Sequence, residues 1–82
     1  MNPILYEKMS QKVKEITEQV SQMRVLAEML GYDPTEEFIR GMITGRLYNS
    51  FIYQSRRLQK RNPTNDEMDE FSDLIKSVWR IY

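Results

Sequence analysis

A chain of 82 residues, 40% hydrophobic and 29% charged, describes one small domain in the size range where a single chain's own core is marginal, so help from a partner chain is expected. Cysteine and histidine are both absent, which excludes disulfides, thiolate metal sites, the commonest general base and the commonest zinc ligand, and with them most familiar enzyme chemistries. Twelve basic and twelve acidic residues cancel, which argues against a protein that coats nucleic acid over its whole surface, although a neutral sum is compatible with an uneven distribution.

The first predicted helix runs from about residue 3 to 30, opened by Asn2 as N-cap with Pro3 at the first helical position and closed before Gly31. Its apolar residues recur in steps of three and four: Tyr6, Met9, Val13, Ile16, Val20, Met23, Ala27 and Leu30. That is a heptad seam, with Tyr6, Val13, Val20 and Ala27 at a and Met9, Ile16, Met23 and Leu30 at d. The flanking e positions (Ser10, Thr17, Arg24) and g positions (Lys12, Gln19, Leu26) offer no oppositely charged pair to specify a partner helix. The seam therefore reads as the core-facing stripe of a small bundle before it reads as an intermolecular coiled coil.

After the turn at Gly31, Asp33 and Pro34 open a second helix expected over about residues 34 to 61, with Glu36 as a capping-box partner. So short a connection makes neighbouring helices antiparallel. The apolar residues of this helix do not hold one face. At 100° per residue, Phe38, Ile39, Met42 and Ile43 cover one side, and Leu47, Tyr48, Phe51 and Leu58 another. Gly41 and Gly45 sit at the changeover, and glycine inside a helix costs roughly 1 kcal/mol relative to alanine. Two readings stand, a kink near Gly45 or a close crossing by another helix.

Asn62 and Pro63 end the second helix, and Thr64-Asn65-Asp66-Glu67 forms a capping box for a third over about residues 65 to 82. The third helix would bury Met68, Phe71, Ile75, Val78 and Tyr82, with Leu74 and Trp79 widening the face. Its length lets it run beside the start of the first helix without reaching the far end of the hairpin. The expected fold is thus all-α, a long antiparallel helical hairpin with a shorter third helix, a three-helix bundle completed by oligomerisation.

Three constellations bear on function. The uncovered tip, with Val25, Leu26, Met29, Leu30, Phe38, Ile39, Met42 and Ile43 beside Gly41 and Gly45, is the expected interface of a homodimer. Between Phe38 and Asn65 no acidic residue occurs, while Arg40, Arg46, Arg56, Arg57, Lys60 and Arg61 are basic and lie among Tyr48, Phe51 and Tyr53. Such a patch suits a polyanion, or it pairs with Asp66, Glu67, Asp69, Glu70 and Asp73 across the next turn. Finally, Glu67-x-x-Glu70 and Glu70-x-x-Asp73 place carboxylates on one helical face, as carboxylate-bridged magnesium sites require. Over fewer than ten residues this resembles the acidic pairs of all-helical nucleotide pyrophosphohydrolases, and the resemblance implies a metal-dependent nucleotide hydrolase.

The leading expectation is a non-enzymatic interaction or adaptor protein acting as a homodimer, with a further protein partner and no catalytic residue, metal or cofactor. A nucleic-acid-binding regulator using the basic stretch is the alternative, and the hydrolase comes third. With no apolar run of about 18 residues and no charged segment followed by an apolar one at the start, neither a membrane span nor a signal peptide is expected, and the expected location is cytoplasmic.

Overall fold

A computed structural model describes residues 1–81, with Ile81 described by its backbone alone. Tyr82, expected on the core face of the third helix, lies outside the described residues. The described chain is all-helical, in the order α1 (Pro3–Thr17), α2 (Val20–Met29), α3 (Glu36–Gln59) and α4 (Asn65–Ile81). One helix more than expected is present because the long first helix is interrupted at Glu18 and Gln19.

The start of α1 follows from local chemistry. Asn2 Oδ1 accepts from the Ile4 N–H (2.8 Å) and the Leu5 N–H (3.4 Å), and Pro3 occupies the first turn, where its missing N–H has no intrahelical partner to lose. The interruption also has a local cause. The Thr17 hydroxyl donates to the Lys14 carbonyl (2.9 Å), and the Gln19 N–H bonds the Ile16 carbonyl three residues back (3.0 Å). A β-branched hydroxyl residue bonding back into the preceding turn bends a helix, and the tighter three-residue bond ends it. Gly31 then caps α2 at φ +81°, with its N–H on the Glu28 carbonyl and the Tyr32 N–H on the Ala27 carbonyl, a left-handed cap that glycine adopts without a Cβ clash.

α3 opens two residues later than the sequence suggests. Thr35, rather than Asp33, is its N-cap, accepting from the Phe38 N–H (3.1 Å), and the Asp33 carbonyl instead receives the Thr35 N–H (2.8 Å). Glu36 and Glu37 lie in the first turn, where carboxylates interact favourably with the positive end of the helix dipole. The helix is unbroken for 24 residues through Gly41 and Gly45, and it ends on Lys60 in the left-handed region (φ +61°). At α4 the capping box forms as expected: Glu67 Oε1 accepts the Thr64 N–H (2.9 Å) and Thr64 Oγ1 accepts the Glu67 N–H (3.2 Å).

α3 packs against both α1 and α2. Its buried residues, Ile39, Ile43, Leu47, Phe51 and Ser55, step by four, a row that winds roughly 40° per step around a helix of 3.6 residues per turn. The two halves of α3 therefore face different neighbours, and both neighbours lie within the chain. The Phe51 ring stacks on Phe71 of α4 at 4.6 Å between centroids, 2° from parallel. Toward its start, Arg46 of α3 meets Gln19 at the α1–α2 break.

The seam of α1 and α2 forms with one exchange, Leu5 for Tyr6, and one loss, Leu30. Leu5, Met9, Val13, Ile16, Met23 and Ala27 are buried and Val20 half-buried, but Tyr6 and Leu30 are exposed. A straight helix turns 3.6 residues per turn, so a strict heptad drifts off its face. Ten residues before Ile16, Tyr6 sits about 80° away, whereas Leu5 sits about 20° away. α4 adds Phe71, Ile75 and Val78 to the same core. It also reaches farther than its length suggests, to Arg40, whose guanidinium lies 5.2 Å from the centre of the Trp79 ring.

Candidate functional site

The residues expected at an oligomer interface separate into two groups. Val25, Leu26 and Met29 are exposed on α2, Met29 at 78%, and with Leu30 and Tyr32 they form one apolar surface. It borders Phe38 and Met42 of α3, which are half-buried. The Tyr32 and Phe38 rings approach to 5.4 Å, and a shallow groove of about 330 Å³ separates Leu26 from Met42 and Arg46. Ile39 and Ile43, by contrast, are fully buried in the chain's own core and drop out of this surface. The drift of the α3 row turns them inward against the rest of the cluster, so their apolar character is satisfied without a partner.

Gly41 and Gly45 are exposed, neither has a positive φ, and a Cβ on either would meet nothing within 4 Å. Neither backbone conformation nor internal packing therefore calls for glycine at these two positions. On the helical wheel they lie beside Phe38 and Met42, on the side of α3 turned away from the core.

The basic residues also divide. Arg40 is engaged by Glu36 (2.7 Å), Glu37 (3.9 Å) and the Trp79 ring. Arg61 pairs with the buried Glu67 (2.6 Å). That guanidinium, together with the Thr64 N–H, lowers the Glu67 carboxyl from its ordinary 4.5 to about 2 against the opposing effect of burial. Arg46, Arg56, Arg57 and Lys60 have no carboxylate within 4 Å among the described residues. Three of them bond neutral oxygens: Arg46 to Gln19 Oε1 (2.5 Å), Arg56 to Asn62 Oδ1 (2.7 Å) and Arg57 to Gln54 Oε1 (3.5 Å). The expected pairing across the turn to α4 is thus limited to Arg61. Asp66, Asp69, Glu70 and Asp73 lie away from the side of α4 that carries Phe71, Ile75 and Val78, and none of them pairs with these cations among the described residues.

The acidic spacing in α4 does not converge either. Glu67 is committed to the cap and to Arg61, and Glu70 lies 2.5 Å from the amine of Met1. Among the described residues no three carboxylates gather as a cation site, and no described helix is long and apolar enough to cross a membrane.

Sequence reasoning missed a second groove. Asn49, Ile52, Tyr53, Arg56 and Arg57 line about 400 Å³ on the outer side of α3. Its signal was legible, since Arg46, Asn49, Tyr53, Arg56 and Lys60 follow one another at steps of three, four, three and four. Compared with protein-family models, with characterised proteins and with solved structures, the chain matches none.

Proposed function

We propose that this chain is a small interaction protein, not an enzyme, that works as a homodimer assembled through the outward side of α2 and the adjoining start of α3. The observation that carries this reading is that α2 exposes large apolar side chains on the side away from its core-facing pair, among Ser21, Gln22, Arg24 and Glu28. Met23 and Ala27 face the core, and Val25, Leu26 and Met29, continued by Leu30 and Tyr32, face water. A surface helix of a self-sufficient domain has a polar back, and an exposed contiguous apolar patch marks an interface. Burying it at about 25 cal/mol per Å² contributes several kcal/mol, a large share of the net stability of a domain this small.

A second copy is the occupant that fits best. A patch formed by one helix and its neighbour is suited to self-complementary pairing about a two-fold axis, the commonest way small chains assemble. The glycines support it from the other helix. With nothing inside the chain occupying the space over Gly41 and Gly45, a partner helix can approach the α3 backbone closely there. The hairpin of the α1–α2 segment on α3, with α4 alongside, is then a bundle completed by its copy.

The test is Val25→Lys with Met29→Glu. Both side chains are exposed, so the helical spectrum should persist while the particle halves in mass by light scattering. An unchanged mass in a folded double variant would remove α2 from the interface.

A further inference from the structure

We infer that the outer side of α3, from Arg46 to Lys60, is a binding surface for single-stranded nucleic acid. The stripe Arg46, Asn49, Tyr53, Arg56 and Lys60, with Arg57 beside it, spans fourteen residue steps, or roughly 21 Å of helix. Its four cations have no carboxylate within 4 Å among the described residues, and the neutral oxygens of Gln19, Gln54 and Asn62 orient three of the guanidiniums without cancelling their charge.

Charge alone would suit any polyanion. The groove inside the stripe narrows the choice, because it combines a 61%-exposed Tyr53 ring, a half-buried Ile52, the Asn49 amide and the Arg56 and Arg57 guanidiniums within about 400 Å³. An aromatic ring and an arginine plane take the face of an unpaired base, an amide bonds its edge, and flanking cations take the phosphates. A duplex hides base faces, and an acidic peptide offers none. The stripe from Asn49 onward lies on α3 beyond the Phe38–Gly45 segment, so binding does not require the assembly proposed above.

The experiment is fluorescence anisotropy of a labelled single-stranded oligonucleotide of about 12 mixed-sequence nucleotides against wild type, Arg56→Gln/Arg57→Gln/Lys60→Gln and Tyr53→Ala. Between about 50 and 200 mM salt, three to four phosphate contacts predict a loss of wild-type affinity of roughly 20- to 50-fold. The triple variant should lose most of the binding and flatten the salt dependence. Tyr53→Ala should weaken binding by roughly 5-fold or more while leaving the salt slope unchanged, the mark of lost stacking. Each altered side chain is exposed, and circular dichroism checks that each variant stays folded. Absence of binding at low salt overturns the inference, as does a Tyr53→Ala variant with wild-type affinity, or equal or tighter binding of the matching duplex or of polyglutamate. Salt-sensitive self-association that the triple variant abolishes, with no oligonucleotide bound, would assign the stripe to the acidic side of α4 in a second copy and equally overturn it.

Discussion

α1 and α2 are cut from one uninterrupted heptad pattern, yet they are finished differently. α1 buries Leu5, Met9, Val13 and Ile16 and, beyond the exposed Ile4 and Tyr6 at its start, backs them with Glu7, Gln11, Lys14 and Glu15, which water can cover. α2 buries only Met23 and Ala27 and, besides Ser21, Gln22, Arg24 and Glu28, exposes Val25, Leu26 and Met29. A periodic stripe identifies the side of a helix that meets its own chain. The residues opposite the stripe tell whether that helix needs anything more. By this criterion α2, more than α1, calls for a partner, which is what the proposed dimer would supply.

The difference can be broken at its strong end first. Ile16→Asp places an unpaired charge in the α1 core and should cost more than about 4 kcal/mol, enough to abolish the helical spectrum at any protein concentration. Retention of a native melting temperature in that variant would show that the α1 face is not core.

Acid sharpens the comparison next, since the Glu67 cap belongs to one chain alone. A carboxyl whose folded-state value is lowered to about 2 stabilises the fold above the unfolded value of 4.5, and that stabilisation is lost as pH falls from about 4.5 toward 2. The full drop corresponds to roughly 3 kcal/mol, but Arg61 is half exposed and water screens the pair, so a loss of about 1–2 kcal/mol is expected. Glu67→Gln should be less stable than wild type at neutral pH and lose less than wild type on acidification. Because the cap lies within one chain, that difference should be the same at low and high protein concentration.

The smallest effect separates the chain from its assembly. In the Val25→Lys/Met29→Glu background, Gly41→Ala or Gly45→Ala should each stabilise by up to about 1 kcal/mol, because a methyl there meets nothing and the helix gains propensity. In the wild-type background Gly45→Leu should instead weaken association. Equal stabilisation in both backgrounds would show that no second helix crosses at this point.

Much of this was legible in the sequence where one local interaction decides the outcome. Asn2 with Pro3, Gly31 and the Thr64–Glu67 box mark helix ends through hydrogen bonds made within a few residues, and all three behave as their residue types require. The break at Glu18 and Gln19 was not legible, because it leaves the heptad spacing intact and depends on which acceptor the Thr17 hydroxyl chooses. The burial of Ile39 and Ile43 was misread for a different reason. A row stepping by four changes direction along a helix, and only the placement of the surrounding helices decides whether its first part meets water or core. The basic stretch was legible as charge but not as pairing. Nearness along the chain to Asp66, Asp69 and Asp73 suggested neutralisation, whereas the helical wheel of α4 turns those carboxylates outward and brings only Glu67 back to Arg61.

The claim that α2 is unfinished in one chain is tested most directly by sedimentation equilibrium of the unmodified protein across micromolar concentrations. The account predicts a mass approaching 19.8 kDa, twice the 9.9 kDa of the chain, falling toward the single-chain value on dilution. A mass of 9.9 kDa at every concentration would contradict it.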